Sequence, residues 1–114
     1  MTISVNSRKQ KARNQQKQVA ELLAVKYNLT VGKDEDLQSR EMGQSGVDIR
    51  MSRDARIKIP FDIECKAQEK LNIWDSIKQC ENNTVEGRIS LLIIKRNRTD
   101  NYAVLKFEDL LKLL

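Results

Sequence analysis

The sequence predicts an α/β protein: a central mixed β-sheet flanked by helices, with its elements in the order α-β-β-β-α-β-β-α. Three observations carry that expectation. Apolar residues recur at the helical period near the start, alternating and continuous apolar runs follow in the middle and late parts, and a capped amphipathic segment separates these runs into an earlier and a later group. The 114 residues suit a single domain, 1–114, with a basic N-terminal segment at 1–18.

Over residues 7–27, Ala12, Val19, Leu22, Leu23 and Tyr27 fall on one side of a helix, and Gln16 shares their stripe. The stretch "NLTVGKDEDLQSREMGQSG" reads as loop from its glycines and acidic cluster, with a short strand near 37–42. Both "VDIRM" and "IKIPFDIEC" alternate apolar and polar residues, and with "SRDAR" as a turn between them they read as a hairpin. Pro60 assigns the second run to an edge or a bulge. Asn72 caps a helix on which Ile73, Trp74, Ile77 and Cys80 recur at helical spacing, ending around "ENNTVEG", with Trp74 expected in the core. A buried strand "RISLLIIK", a turn "RNRTDN", a strand "YAVLKF" and a short leucine-rich helix "EDLLKLL" complete the chain.

Composition removes several kinds of chemistry. Hydrophobic residues at 39% and charged residues at 32% describe a globular chain. Histidine is absent, so imidazole acid/base catalysis, histidine-activated nucleophiles and imidazole metal sites are excluded. Cys65 and Cys80 lack the close pairing of a zinc site and read as reduced and structural. The longest apolar run is far short of a membrane span and no signal-peptide pattern opens the chain, so no membrane association and a cytoplasmic location are expected. For a viral protein that means the host cytoplasm. The net charge of +5 resides wholly in residues 1–20, where Arg8, Lys9, Lys11, Arg13 and Lys17 stand without an acid, a pattern that suits a polyanionic partner such as DNA.

The chemistry-bearing stretch is "FDIECK". On an extended strand, Phe61, Ile63 and Cys65 face one way while Asp62, Glu64 and Lys66 face the other. A hairpin centred near Arg56 sets Asp48 across from Glu64. Charges converging on a sheet face are costly unless solvated, paired or bound to a cation. Two carboxylates suit a hard divalent cation such as Mg²⁺, and a neighbouring lysine suits phosphodiester hydrolysis. The bland alternative is a salt-bridged, solvated hairpin face. Asp62 shares that face near the strand entrance, where a solvated or pairing role is expected.

With "GVDI" before a turn, "PFDIECK" on a strand and a helix carrying Gln79, the sequence resembles the PD-(D/E)xK nuclease superfamily, and more closely its Holliday junction resolvase-like branch from archaea and phages. The likeness extends over "QSGVDI", "FDIECKAQEKLNIWDSIKQCE", "LLIIKRNR" and "FEDLLKLL". It implies a restriction-endonuclease-like core, with Asp48, Glu64 and the Cys65 backbone carbonyl as ligands of Mg²⁺ (or Mn²⁺ in its place), Lys66 as the catalytic lysine and Gln79 facing the site. It also implies DNA recombination or repair as the setting. Where family members carry a glutamate on the first helix, this chain has Gln16 or Gln18, and Gln16 would be an additional, weaker ligand. Glu21 is the nearby acid, but its position on the helix points it to solvent.

Besides the N-terminal cations, Lys70 and the "KRNR" group of Lys95, Arg96 and Arg98 are candidates for phosphate contacts, and Ser39, Glu41 and Ser45 for substrate contacts from the loop. The expected partner is branched DNA, a four-way junction, cut by a homodimer because two symmetric incisions need two sites. The other activities kept open are a related nuclease acting on flaps, nicks or specific sites, and a noncatalytic nucleic-acid-binding protein.

Overall fold

The computed structural model describes residues 5–40 and 46–114. A long helix, α1 (Val5–Tyr27), lies against the sheets through Gln15, Gln16, Val19, Ala20 and Ala24. The small side chains of Ala20 and Ala24 centre the buried stripe between Gln16 and Leu23, which leaves Leu22 at its margin and 60% exposed rather than in the core.

Strands β1 (Leu37–Ser39) and β2 (Ile49–Met51) pair antiparallel, with Leu37 opposite Met51 and Ser39 opposite Ile49. The first is shorter than the expected strand, and residues 41 and 42 lie outside the described region. A mixed three-stranded sheet follows in the order β3 (Phe61–Ala67), β4 (Ile89–Lys95), β5 (Tyr102–Val104): β3 and β4 run parallel, β4 and β5 antiparallel. Helix α3 (Ile73–Asn82) makes the crossover that a parallel pair requires, and its N-cap Asn72 accepts a hydrogen bond from the Asp75 amide at 3.1 Å, as expected. A last helix, α4 (Phe107–Leu113), has no buried residue.

The expected hairpin is replaced. "SRDAR" is not a turn but the start of a helix, α2 (Arg53–Lys58), so the order becomes α-β-β-α-β-α-β-β-α, and β2 pairs with β1 instead of β3. Ser52 explains the difference: its hydroxyl accepts from the Ala55 amide at 3.1 Å, Asp54 complements the first turn, and Ala55 is driven into the core. Trp74 is also not a core residue. It is 79% exposed, because Ser76 and Cys80 carry the buried side of α3 and turn Trp74 away.

The core lies between α1 and the sheets and gathers Val19, Ala20, Leu37, Ile49, Ile59, Ile63, Leu91 and Ile93. Among the described residues no helix is long and apolar enough to cross a membrane.

Gln15 fastens α1 to the strand ends. Its Nε2 donates to the carbonyls of Lys66 (3.1 Å) and Ile93 (3.2 Å) and to Asn101 Oδ1 (3.3 Å). Its buried Oε1 has no partner among the described residues, which offsets part of the gain. Gln15→Ala should therefore lower stability by about 1–2 kcal/mol, read as a lower urea midpoint at unchanged slope. An unchanged midpoint would mean that the orphaned oxygen cancels the three bonds.

Candidate metal centre

Strand β3 is covered on both faces rather than one. Phe61 and Lys66 are half-buried, while Asp62, Ile63, Glu64 and Cys65 are buried. Its alternation therefore separates an apolar face from a buried polar one, and each acid on the latter needs a reason to be there.

Asp62 is paired. Its Oδ1 accepts from Arg88 Nε at 2.7 Å and lies 3.6 Å from Arg56 Nη1, while Oδ2 accepts from the Val85 amide at 2.9 Å. Arg88 also donates to the carbonyls of Arg56, Ile59 and Phe61. This network joins the end of α2 to the starts of β3 and β4. Of the two roles expected for Asp62, pairing is the one observed.

Asp48, just before β2 and 4% exposed, straddles Glu64 along the edge of β3 not occupied by β4. Its amide donates to the Ile63 carbonyl at 3.0 Å, and its Oδ2 accepts from the Cys65 amide at 2.7 Å. The juxtaposition of Asp48 and Glu64 inferred from the sequence is thus present, although not through a hairpin. Carbonyls two residues apart on a strand point the same way, so the Cys65 carbonyl is turned, like that of Ile63, to the Asp48 edge.

Glu64 is 2% exposed, and among the described residues its carboxylate accepts a single hydrogen bond, a long one of 3.5 Å from Asn83 Nδ2 to Oε2. Burial, and then the Asp48 carboxylate beside it, push the Glu64 carboxyl above its ordinary pKa; Asn83, Lys66 and Arg40 act in the other direction. Lys66 is half-buried on the same face, and among the described residues no carboxylate lies within 4.0 Å of its amine. Burial and the two nearby carboxylates raise the Cys65 thiol well above its usual pKa, and burial raises that of Cys80, so both stay protonated and free as expected.

Two residues that the sequence reading passed over complete the arrangement. Asn83 was visible only as part of a helix stop; as the C-cap of α3 it brings its amide to Glu64. Arg40 follows β1, and its amide donates to the Asp48 carbonyl at 2.8 Å. Its guanidinium lies 3.0 Å from Asp48 Oδ1 through Nη2 and donates to the Gly46 carbonyl through Nη1. Only the β1–β2 pairing, hidden in an apparently irregular loop, brings these groups together.

The other expected site residues divide clearly. Gln16 is buried on the packed side of α1, yet its side chain makes no hydrogen bond among the described residues. Gln18 accepts from Asn101 Nδ2 at 2.9 Å, and Glu21 is exposed as anticipated. Gln79 is exposed one helical turn before Asn83, on the same side of α3, without a side-chain bond to Lys66 or Glu64. Arg8, Lys9, Arg13, Lys17 and Lys70 are exposed and Lys11 half-buried. Lys95 and Arg96 are engaged locally, with Thr99 and Glu69. Ser39 is half-buried; Glu41 and Ser45 lie outside the described residues.

No family model, no curated protein and no solved structure matches the chain. The donor set itself tests the fit of a cation. Among the described residues no group of three or more metal-ligating side chains forms. Asp48 and Glu64 are hard oxygen donors, the Cys65 carbonyl is turned to the same edge, and the under-bonded Glu64 would be relieved by positive charge. A Mg²⁺ ion, which commonly keeps water and substrate oxygens around one or two carboxylates, suits that set.

Proposed function

We propose that this chain is a Mg²⁺-dependent, structure-selective DNA endonuclease of the PD-(D/E)xK type, a Holliday junction resolvase with a restriction-endonuclease-like core. The observation that carries the reading is the meeting of buried Asp48 and Glu64 at one edge of β3, with the amine of Lys66, which pairs with no carboxylate among the described residues, on the same strand face. Asp48, Glu64 and the Cys65 carbonyl would hold the cation, which when bound supplies Lewis-acid polarisation of the phosphodiester and a more acidic attacking water. Lys66 donates hydrogen bonds toward the attacked phosphate and stabilises its developing charge. Gln79 and Asn83, on one side of α3, line the approach.

The N-terminal part of α1 supports DNA as the substrate. Gln15 grips the end of β3, and the turns before it, exposed or half-buried over residues 7–14, carry Arg8, Lys9, Lys11 and Arg13 beyond that end. With Lys17 and Lys70 they would track phosphates next to the site. The exposed Leu110, Leu111, Leu113 and Leu114 support packing of a second copy on α4, which would give the two sites that symmetric incision needs.

A labelled four-way junction, a matched duplex and a flap, each incubated with Mg²⁺ and with chelator, test the reading. Paired, symmetric, Mg²⁺-dependent cuts confined to the junction are expected. Cuts in flaps or duplex would assign a related nuclease. Binding without cleavage in any metal would assign the noncatalytic reading, which the Arg40 contact on Asp48 favours.

A further inference from the structure

Arg40 occupies the position of a cation. Its guanidinium is 3.0 Å from Asp48 Oδ1, and Oδ2 is taken by the Cys65 amide at 2.7 Å, so neither oxygen of the buried carboxylate is unengaged. Arg40 is also well covered, with 19% of its side chain exposed, and its charge is close enough to act on Glu64 as well as on Asp48. A divalent ion at Asp48 and Glu64 would meet like charge at hydrogen-bonding range, in surroundings that screen it poorly. The two cations would therefore compete for Oδ1.

We propose that Arg40 is the resident counter-cation of this site, exchanged for the divalent ion when that ion binds, and that the released guanidinium then takes a phosphate of the substrate strand. This rests on the reading of Asp48 and Glu64 as the metal carboxylates. The backbone fits the exchange. The Arg40 amide stays bonded to the Asp48 carbonyl whatever the side chain does, so the guanidinium remains tethered beside the site after it lets go. Its planar fork of donors suits a phosphodiester as well as a carboxylate. The exchange keeps Asp48 compensated in the metal-free protein, where a buried and unpaired carboxylate would be costly.

The test compares the native protein with Arg40→Met by Mn²⁺ titration calorimetry without DNA, and by junction binding in Ca²⁺. The inference expects opposite signs: Mn²⁺ affinity rising by about tenfold and junction affinity falling by a similar factor, a coupling of ordinary size. A residue that merely supports the site would weaken both, and that outcome, or unchanged Mn²⁺ affinity, overturns the exchange. Asp48→Asn provides the separate control. If it leaves Mn²⁺ affinity unchanged, the metal reading fails and the exchange with it; if it lowers the affinity while Arg40→Met does not raise it, only the exchange fails. Should Arg40→Met not fold, the native protein still reports: Mg²⁺ should shift the Arg40 Nε–Hε resonance toward a solvent-exposed position, and an unmoved resonance overturns the exchange.

Discussion

Lys66→Ala is expected, on the proposed nuclease reading, to bind a four-way junction as tightly as the native protein and to cleave it about 10²- to 10³-fold more slowly, the usual consequence of removing one donor to developing charge. The side chain is half-buried on the face that carries Glu64, with no carboxylate within 4.0 Å among the described residues, so its loss breaks no ion pair there. Its backbone carbonyl, which Gln15 grips at 3.1 Å, is untouched by the substitution. Gel-shift titration and single-turnover cleavage separate the two effects. A fully active variant would remove Lys66 from the reaction.

Asp62→Ala should have the largest effect on stability. It leaves the Arg88 guanidinium, 13% exposed, without the carboxylate that accepts from its Nε at 2.7 Å, and removes the acceptor of the Val85 amide. Removing one partner of such a buried pair costs about 3–5 kcal/mol, a large share of the roughly 5–15 kcal/mol that holds a small domain together. Thermal unfolding should show a melting temperature lower by about 10 °C or more. A shift of only a degree or two would mean that the remaining carbonyl partners of Arg88 suffice to hold the charge.

The contrast between Asp62 and Glu64 shows what local sequence can and cannot convey. Both stand on one face of one strand, and alternation alone gives them the same standing. What separates them is distant in sequence: Arg88 lies across the parallel crossover and satisfies Asp62, whereas Glu64 meets Asp48 and one long bond from Asn83. Helices and strands with strong periodicity were legible, among them α1, α3 and β4. The Asp48–Glu64 meeting was legible too, although the hairpin assumed for it is absent. Helix α2 was hidden because a serine cap and a buried alanine resemble a polar turn when the core they face is unknown. Arg40 was hidden because β1 and β2 are only three residues each, too short for a pattern. Gln15 was passed over for its neighbour Gln16 because wheel geometry cannot say which of two adjacent amides meets the strand carbonyls.

The Cys65 amide, bound by Asp48 Oδ2 where a backbone acceptor would ordinarily stand, ties architecture to chemistry. That carboxylate seals a stretch of strand margin which would otherwise be open to pairing with another chain. If the proposed nuclease reading holds, truncating Asp48 to alanine would thus invite self-association along with inactivity. On that reading Lys66→Ala is the cleaner choice for trapping an uncut substrate complex.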